Sequence, residues 1–236
     1  MQFTKDVMDV KNTKRDLKKR DFYAEALRYL KEGLKELKID LSPETQNRLL
    51  IFLEELSAFA EPLGLTSLKT PQDLVVKHLL DSLTILSFLP ENEPILDLGT
   101  GGGLPGMVIK IVRPEQEVWL VDARKRPISF LHYIVGKLGL TEVKILQTTV
   151  GKGDPLPRRY FAVVVSRAVC SLDKLWELSS PLLQEEGGDL LAMKGPRVEE
   201  EIEILNKKFP ELRVQRYNFH LPLTGDHRVV VKINPN

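Results

Sequence analysis

The sequence predicts an α/β fold: a mostly parallel seven-stranded sheet with helices on both faces, a terminal antiparallel strand and an N-terminal helical extension. Three observations lead there. From Pro94 onward, short β-rich runs alternate with helical stretches. Those runs are almost continuously apolar, as strands covered on both faces must be. The last two runs follow one another with no helix between them, so they pair antiparallel.

Taken in order, the first twenty residues, MQFTKDVMDVKNTKRDLKKR, hold seven Lys/Arg against three Asp and lack the apolar segment of a signal peptide. They read as a solvated terminus, with a phosphate-touching basic arm as the alternative. Phe22, Ala26, Tyr29, Leu30, Leu34 and Leu37 then recur at three- and four-residue steps, an apolar stripe on a charged helix. SPETQNRLLIFLEEL opens a second helix with Ser42 as N-cap, Pro43 at the first helical position and Glu44 in the first turn; Pro62 and Gly64 close it. A third helix is expected over Gln72 to Leu89, ending before Pro90 and Pro94. Residues 1–90 are thus expected to form the extension and residues 91–236 the α/β core. In that core PILDL, EVWLVD, VKILQ, FAVVVS and GDLLAMK alternate with LPGMVIKIV, RKRPISFLHYIVGKLG and the segments after Cys170. LRVQRYNFHL and HRVVVKIN, joined by LPLTGD, make the closing antiparallel pair.

Composition narrows the chemistry. With 34 Lys/Arg against 33 Asp/Glu, the net charge of +1 makes no global case for nucleic acid. One cysteine, Cys170, allows no intrachain disulfide and fits a reducing compartment. Four scattered histidines and that cysteine form no metal-ligand pattern, so no metal is expected. No apolar run approaches a transmembrane length. The expectation is a cytoplasmic protein with no membrane partner.

The stretch ILDLGTGGGLPG, Ile95 to Gly106, has five glycines in the eight residues from Gly99, more than a turn alone requires. Two templates fit it. Gly101-x-Gly103-x-x-Gly106 matches the dinucleotide fingerprint of nicotinamide-dependent oxidoreductases. Asp97-x-Gly99-x-Gly101-x-Gly103, with Thr100 inside it, matches the loop of S-adenosylmethionine (SAM) methyltransferases. In both, the acid ending the second strand, here Asp122, bonds the ribose hydroxyls. Three features favour the methyl donor. Asp97 stands where it would face the charged amino-acid end of the donor and would repel a pyrophosphate. Leu104-Pro105 adds apolar bulk where a pyrophosphate needs amides. The terminal antiparallel pair departs from an all-parallel nucleotide fold, and no second mononucleotide-binding repeat follows VVSRA.

The end of the fourth strand reads Ser166-Arg167-Ala168 where enzymes that methylate exocyclic amines carry Pro-Pro-aromatic. Attack on cytosine C5 needs a covalent cysteine, usually with a second to release the adduct, and Cys170 reads as a small buried hydrophobe. Arg167 lies at the C-terminal edge of the sheet, suited to a ligand carboxylate, a base edge or a surface salt bridge. Arg124, Lys125 and Arg126 directly follow Asp122, and Lys194 and Arg197 flank the end of the fifth strand. Together they suggest an RNA-phosphate rim. Lys77, His78 and Asp81 share a helix face, either a lid over an acceptor pocket or an ion-paired packing face.

Five segments occur in order over roughly Leu65 to Gly195: LTSLKTPQDLVVKHLLDSL, ILDLGTGGGLPGMVIKIVRP, VDARKRPISFL, VVSRAVCSL and AMKGP. Through them the chain resembles the glucose-inhibited division protein B family, the ribosomal small-subunit methyltransferase G enzymes. The resemblance implies a class I SAM-dependent enzyme that methylates N7 of a guanine in the decoding-region loop of 16S rRNA, with that RNA or the small subunit as partner. It implies donor-binding positions at Gly99, Leu104, Val150, Gly151 and Arg167. Two departures stand out: Gly64 replaces the family's usual Asn before LT, and Thr149-Val150-Gly151 replaces its usual Arg-Val-Glu, leaving no side chain at Gly151 to contact adenine. Guanine N7 has an in-plane lone pair and no proton, so no general base is expected and Arg167 takes a positioning role. A non-catalytic RNA or ribosome-assembly factor on the same fold is the competing expectation.

Overall fold

The computed structural model describes residues 21–151, 153–167 and 169–235; the basic segment 1–20 lies outside them. Helix α1 covers residues 21–37 and buries Ala26, Leu30 and Leu34 along one stripe. Helix α2 (Pro43–Ala58) begins where Ser42 Oγ accepts the Thr45 N–H, and Pro43 occupies its first turn. A short α3 (Ala60–Leu63) ends at Gly64 in the left-handed region.

The third predicted helix is not one uniform helix. It runs as α4 (Pro71–Leu74), a π-helical turn (Val75–Leu80), α5 (Asp81–Leu83) and, two residues on, a 3-10 turn (Leu86–Phe88). Apolar periodicity does not distinguish a π turn from an α turn, since the one-residue widening leaves Val75, Val76, Leu79 and Leu80 all buried.

The sheet contains β1 (Ile95–Leu98), β2 (Val118–Asp122), β3 (Val143–Gln147), β4 (Val163–Arg167), β5 (Asp189–Lys194), β6 (Leu212–His220) and β7 (His227–Pro235). Its order is β3-β2-β1-β4-β5-β7-β6. The first five strands are parallel, and β7 runs antiparallel between β5 and β6. Alternate residues feed two cores, as the pleat requires. Ile95, Val118, Val163 and Leu191 face α6 (Gly106–Val112), α7 (Lys125–Leu138) and the N-terminal helices. Leu96, Val121, Val164 and Leu190 face α8 (Leu172–Ser179) and α9 (Glu199–Lys208).

The N-terminal helices share the first core without a break: Leu49, Phe52, Leu53 and Leu56 belong with Met107, Phe130 and Leu131. A polar contact ties the same elements, with Tyr133 Oη and Lys137 Nζ of α7 donating to Glu55 of α2 at 2.9 and 2.5 Å. The helices therefore hold a fixed position beside the carboxyl ends of β1, β4 and β5.

Candidate active site

Strands β1 and β4 are neighbours, yet the chain leaves β1 toward β2 and β3 before returning to β4. The crevice at such a reversal, at the carboxyl ends of the strands, is where open α/β sheets bind ligands. Ser166 Oγ closes its floor by donating to the Leu98 carbonyl at 2.9 Å.

Asp97 lies wholly buried beneath the glycine loop and does not line the crevice, in contrast to the expectation that it faces the ligand. Its Oδ2 accepts from Thr100 Oγ1 at 2.6 Å and from the Gly106 N–H at 2.7 Å, pinning both ends of the loop. Its Oδ1 is buried without a hydrogen-bond partner. Burial pushes the carboxyl up to about 6, against the two hydrogen bonds and the nearby Arg167. The glycines divide in role. A Cβ at Gly106 would meet Leu120 at 2.4 Å and Asp97 Oδ2 at 2.7 Å, and one at Gly102 would meet Leu56 at 2.7 Å. Their backbone is approached by the protein itself. Gly101 is different: it lines the crevice in the left-handed region, with only Arg124 Nη2 and its own loop near a Cβ.

Above the loop is a cavity of about 560 Å³ lined by Leu65, Gly99, Thr100, Leu104, Asp122, Arg124, Arg167 and Val169 among others. That volume is within the range of small-molecule sites. Asp122 accepts the Gly101 N–H at 2.9 Å on Oδ2, while Arg124 holds Oδ1 through its N–H and Nε at 2.8 and 3.1 Å. Burial opposes ionisation of Asp122, but these bonds hold its carboxyl below the ordinary carboxylate range. Arg124 is thus engaged with Asp122 and belongs to the cavity as much as to the rim. Val150 and Gly151 stand apart from the lining: the Gly151 N–H donates to Asp154 Oδ2 at 2.8 Å, a turn of the chain's own making.

A second cavity, about 340 Å³, adjoins the first through Arg167, which lines both. Lys77, His78 and Asp81 meet here with Met193, Lys194, Phe219 and Arg228. In the π turn the Lys77 carbonyl accepts Arg167 Nη1 at 2.9 Å, and Asp81 Oδ2 accepts it at 3.3 Å. π turns often occur where a backbone group is diverted from the helical ladder to a site. His78 Nδ1 is 3.1 Å from the Lys77 carbonyl and Nε2 2.8 Å from Thr66 Oγ1. A carbonyl only accepts, so Nδ1 carries the hydrogen and Nε2 accepts from the threonine. Burial, reinforced by Arg167, lowers His78 to about 4, leaving it neutral at physiological pH. Burial raises the Asp81 carboxyl, opposed by Arg167 and Arg228.

Of the expected rim, Lys125, Arg126 and Arg197 are exposed. Lys194 is not available as expected: its Nζ donates to the Cys170 carbonyl at 2.6 Å and to Glu201 at 2.7 Å. Lys77 pairs with Asp73 at 2.7 Å. Sequence reasoning missed Phe219 and Arg228, brought to the site by the terminal hairpin, and Leu65 and Val169 on the cavity wall. The hairpin's antiparallel placement beside β5 was the available signal, because it returns β7 to the sheet edge that carries Lys194. Among the described residues no group of His, Cys, Asp and Glu has metal-binding geometry, and no helix is long and apolar enough to cross a membrane.

The strand order and the D-x-G-x-G loop define a class I SAM-dependent methyltransferase. A solved SAM-dependent methyltransferase from Aquifex aeolicus shares the fold at a TM-score of 0.52 and 20% identity, over 77% of this chain and 96% of its own. The family described as rRNA small subunit methyltransferase G matches residues 45–230. The ribosomal RNA small subunit methyltransferase G of Psychrobacter sp. (strain PRwf-1) is 34% identical over 214 residues, 89% of this chain and 94% of that protein. Its counterpart in Desulfitobacterium hafniense (strain Y51) is 35% identical over 202 residues, 84% of each chain. This chain belongs to the rRNA small subunit methyltransferase G family.

The residues of the first cavity fit SAM. Asp122 presents a carboxylate at the crevice, Gly101 leaves the backbone open to close approach, and beneath the loop Asp97 Oδ1 is buried without a hydrogen-bond partner.

Proposed function

We propose that this enzyme methylates N7 of a guanine in the decoding-region loop of 16S rRNA, in the cytoplasm, with the first cavity taking the donor and the second the base. The loop Asp97–Leu104, Asp122 and Arg167 hold the donor; within the extension expected over residues 1–90, the described residues from 21 onward brace this site on a core of residues 91–236. When bound, SAM supplies a sulfonium methyl group. The single observation that carries the reading is the pairing of two adjoining cavities across Arg167, which lines both. His78 is neutral and both its nitrogens are occupied. Cys170 has a thiol raised by burial. Neither His78 nor Cys170 is poised as a base, and guanine N7 needs none, because it attacks through a lone pair that carries no proton. What remains for the protein is alignment and exclusion of water. Arg167, held by the Lys77 carbonyl and Asp81, keeps a fixed cation between donor and base.

The test is incubation of labelled SAM with under-methylated small ribosomal subunits, digestion to nucleosides and nuclease mapping. The expected product is 7-methylguanosine in the decoding-region loop. With SAM saturating, single-turnover transfer is expected to be nearly flat from about pH 7 to about pH 8, above the Asp97 transition and with His78 neutral throughout. Arg167→Ala is expected to lower the rate through positioning of donor and base, since the side chain has no proton to transfer. Label on an exocyclic amine, or a steep rise with pH abolished by one Asp or His substitution, overturns the assignment.

A further inference from the structure

We propose that Asp81 is the residue that selects guanine, accepting the base's N1–H and N2–H in the second cavity. The inference rests on the guanine-N7 reading and adds how the base is told from the other three.

Asp81 lines the second cavity, is only 4% exposed and uses one of its two oxygens conventionally. Oδ2 accepts from Arg167, whereas Oδ1 makes no hydrogen bond; its nearest cation is Arg228 Nε at 3.6 Å. A buried carboxylate oxygen with acceptor capacity to spare costs stability unless a donor reaches it. The walls beside it suit a flat heterocycle: Phe219 offers a ring, and Met193 and Val229 offer apolar surface. Arg167 lines both cavities, so a base lodged here is next to the first cavity.

The chemistry of the edges decides which base fits. An ionised carboxylate accepts and never donates, and the two guanidinium groups flanking this one favour that form against the burial that raises its carboxyl. Guanine alone presents two adjacent donors, N1–H and N2–H. Adenine and cytosine each set a ring-nitrogen acceptor beside their amine, which a carboxylate repels. Uracil sets its one N–H between two carbonyls. Gripping guanine by N1 and N2 also leaves N7, on the opposite side of the purine, free of the reading residue. A site that instead read O6 and N7 with an arginine fork, as DNA-binding proteins do, would mask the reacting atom.

The experiment compares small subunits reconstituted with guanosine or with inosine at the methylated position, using wild type and Asp81→Asn. Inosine keeps N1–H and N7 and lacks only the 2-amino group. Wild type is expected to methylate the guanosine substrate about ten- to a hundredfold more efficiently, the worth of one charge-assisted hydrogen bond. Asp81→Asn is expected to bring that ratio close to unity; losing its ion pairs with Arg167 and Arg228 lowers stability and SAM affinity, but these losses act on both substrates alike and cancel in the ratio. A residue that merely braced Arg167 would lower both activities together and preserve the ratio. A wild-type ratio near one overturns the inference whether or not the variant folds, as does an undiminished ratio in Asp81→Asn. If wild type forms no 7-methylguanosine, the functional reading fails and takes this inference with it. If 7-methylguanosine forms without discrimination, only the role of Asp81 falls.

Discussion

Asp97 concentrates the site's physical chemistry in one side chain. Its carboxyl titrates near 6 because burial outweighs the two hydrogen bonds it accepts and the field of Arg167, with Asp122 adding a like charge. The fold favours the protonated form, so this contribution to stability is complete below the ordinary carboxylate range and is lost as pH rises through about 6. A cationic ligand favours the opposite, ionised form. Binding of SAM, whose ammonium and sulfonium are both positive, therefore releases a proton below that pH, and its affinity should climb toward pH 6 and level off above it. Asp97→Asn keeps an acceptor for Thr100 and Gly106 but cannot ionise. Calorimetry should show it binding SAM more weakly at neutral pH, because a negative charge beneath the donor cavity is lost, and with no dependence on pH in this range. A variant that retains the wild-type pH dependence would place the proton elsewhere.

The glycine loop works as an element, and its members are not interchangeable. Gly106→Ala drives a methyl against Leu120 and the Asp97 carboxylate, and should cost about 1–3 kcal/mol by denaturant unfolding, with donor binding lost as well. Gly136, exposed in the last turns of α7 with open space around it, provides the contrast: Gly136→Ala should stabilise by about 0.5–1 kcal/mol and leave catalysis alone. Equal effects at both positions would mean that helix propensity, not close packing, governs the loop. The contrast also shows what was legible from residues alone. Strand alternation, the Ser42–Pro43 helix start and the closing hairpin are local patterns, and the structure has them. Asp122 and Arg167 were recognisable because they end their strands, where side-chain direction follows from the pleat, whereas Asp97 was found through its motif but lies under the loop and not toward the ligand as expected. The π turn at Val75–Leu80 was not recognisable, since it leaves the apolar pattern intact. Phe219 and Arg228 were hidden because they reach the second cavity through pairing of β5 with β7, strands far apart along the chain. The engagement of Lys194 with Glu201 was hidden because charge on a sequence does not disclose its partner.

At the scale of the whole molecule the question is where a nearly neutral protein meets a polyanion. With Arg124 paired to Asp122 and Lys194 to Glu201, the cations of the expected rim left without an ion-pair partner among the described residues are Lys125, Arg126 and Arg197. Two of these open α7, whose first turn carries no acidic residue. Cations at a helix N-terminus oppose the macrodipole at about 0.3–1 kcal/mol each, so the helix does not gain from them. We propose that they are there for phosphate. The double substitution Lys125→Gln/Arg126→Gln is then expected to act in opposite directions on two measurements. Thermal stability should rise slightly, because an unfavourable charge–dipole interaction is removed. Binding to small ribosomal subunits should weaken, and the slope of log affinity against log salt should shrink by about 0.7–0.9 for each phosphate no longer neutralised. SAM affinity should be unchanged, since Arg124 and its bonds to Asp122 are left in place. A salt slope identical to wild type would remove this end of α7 from the RNA surface, whatever the stability does.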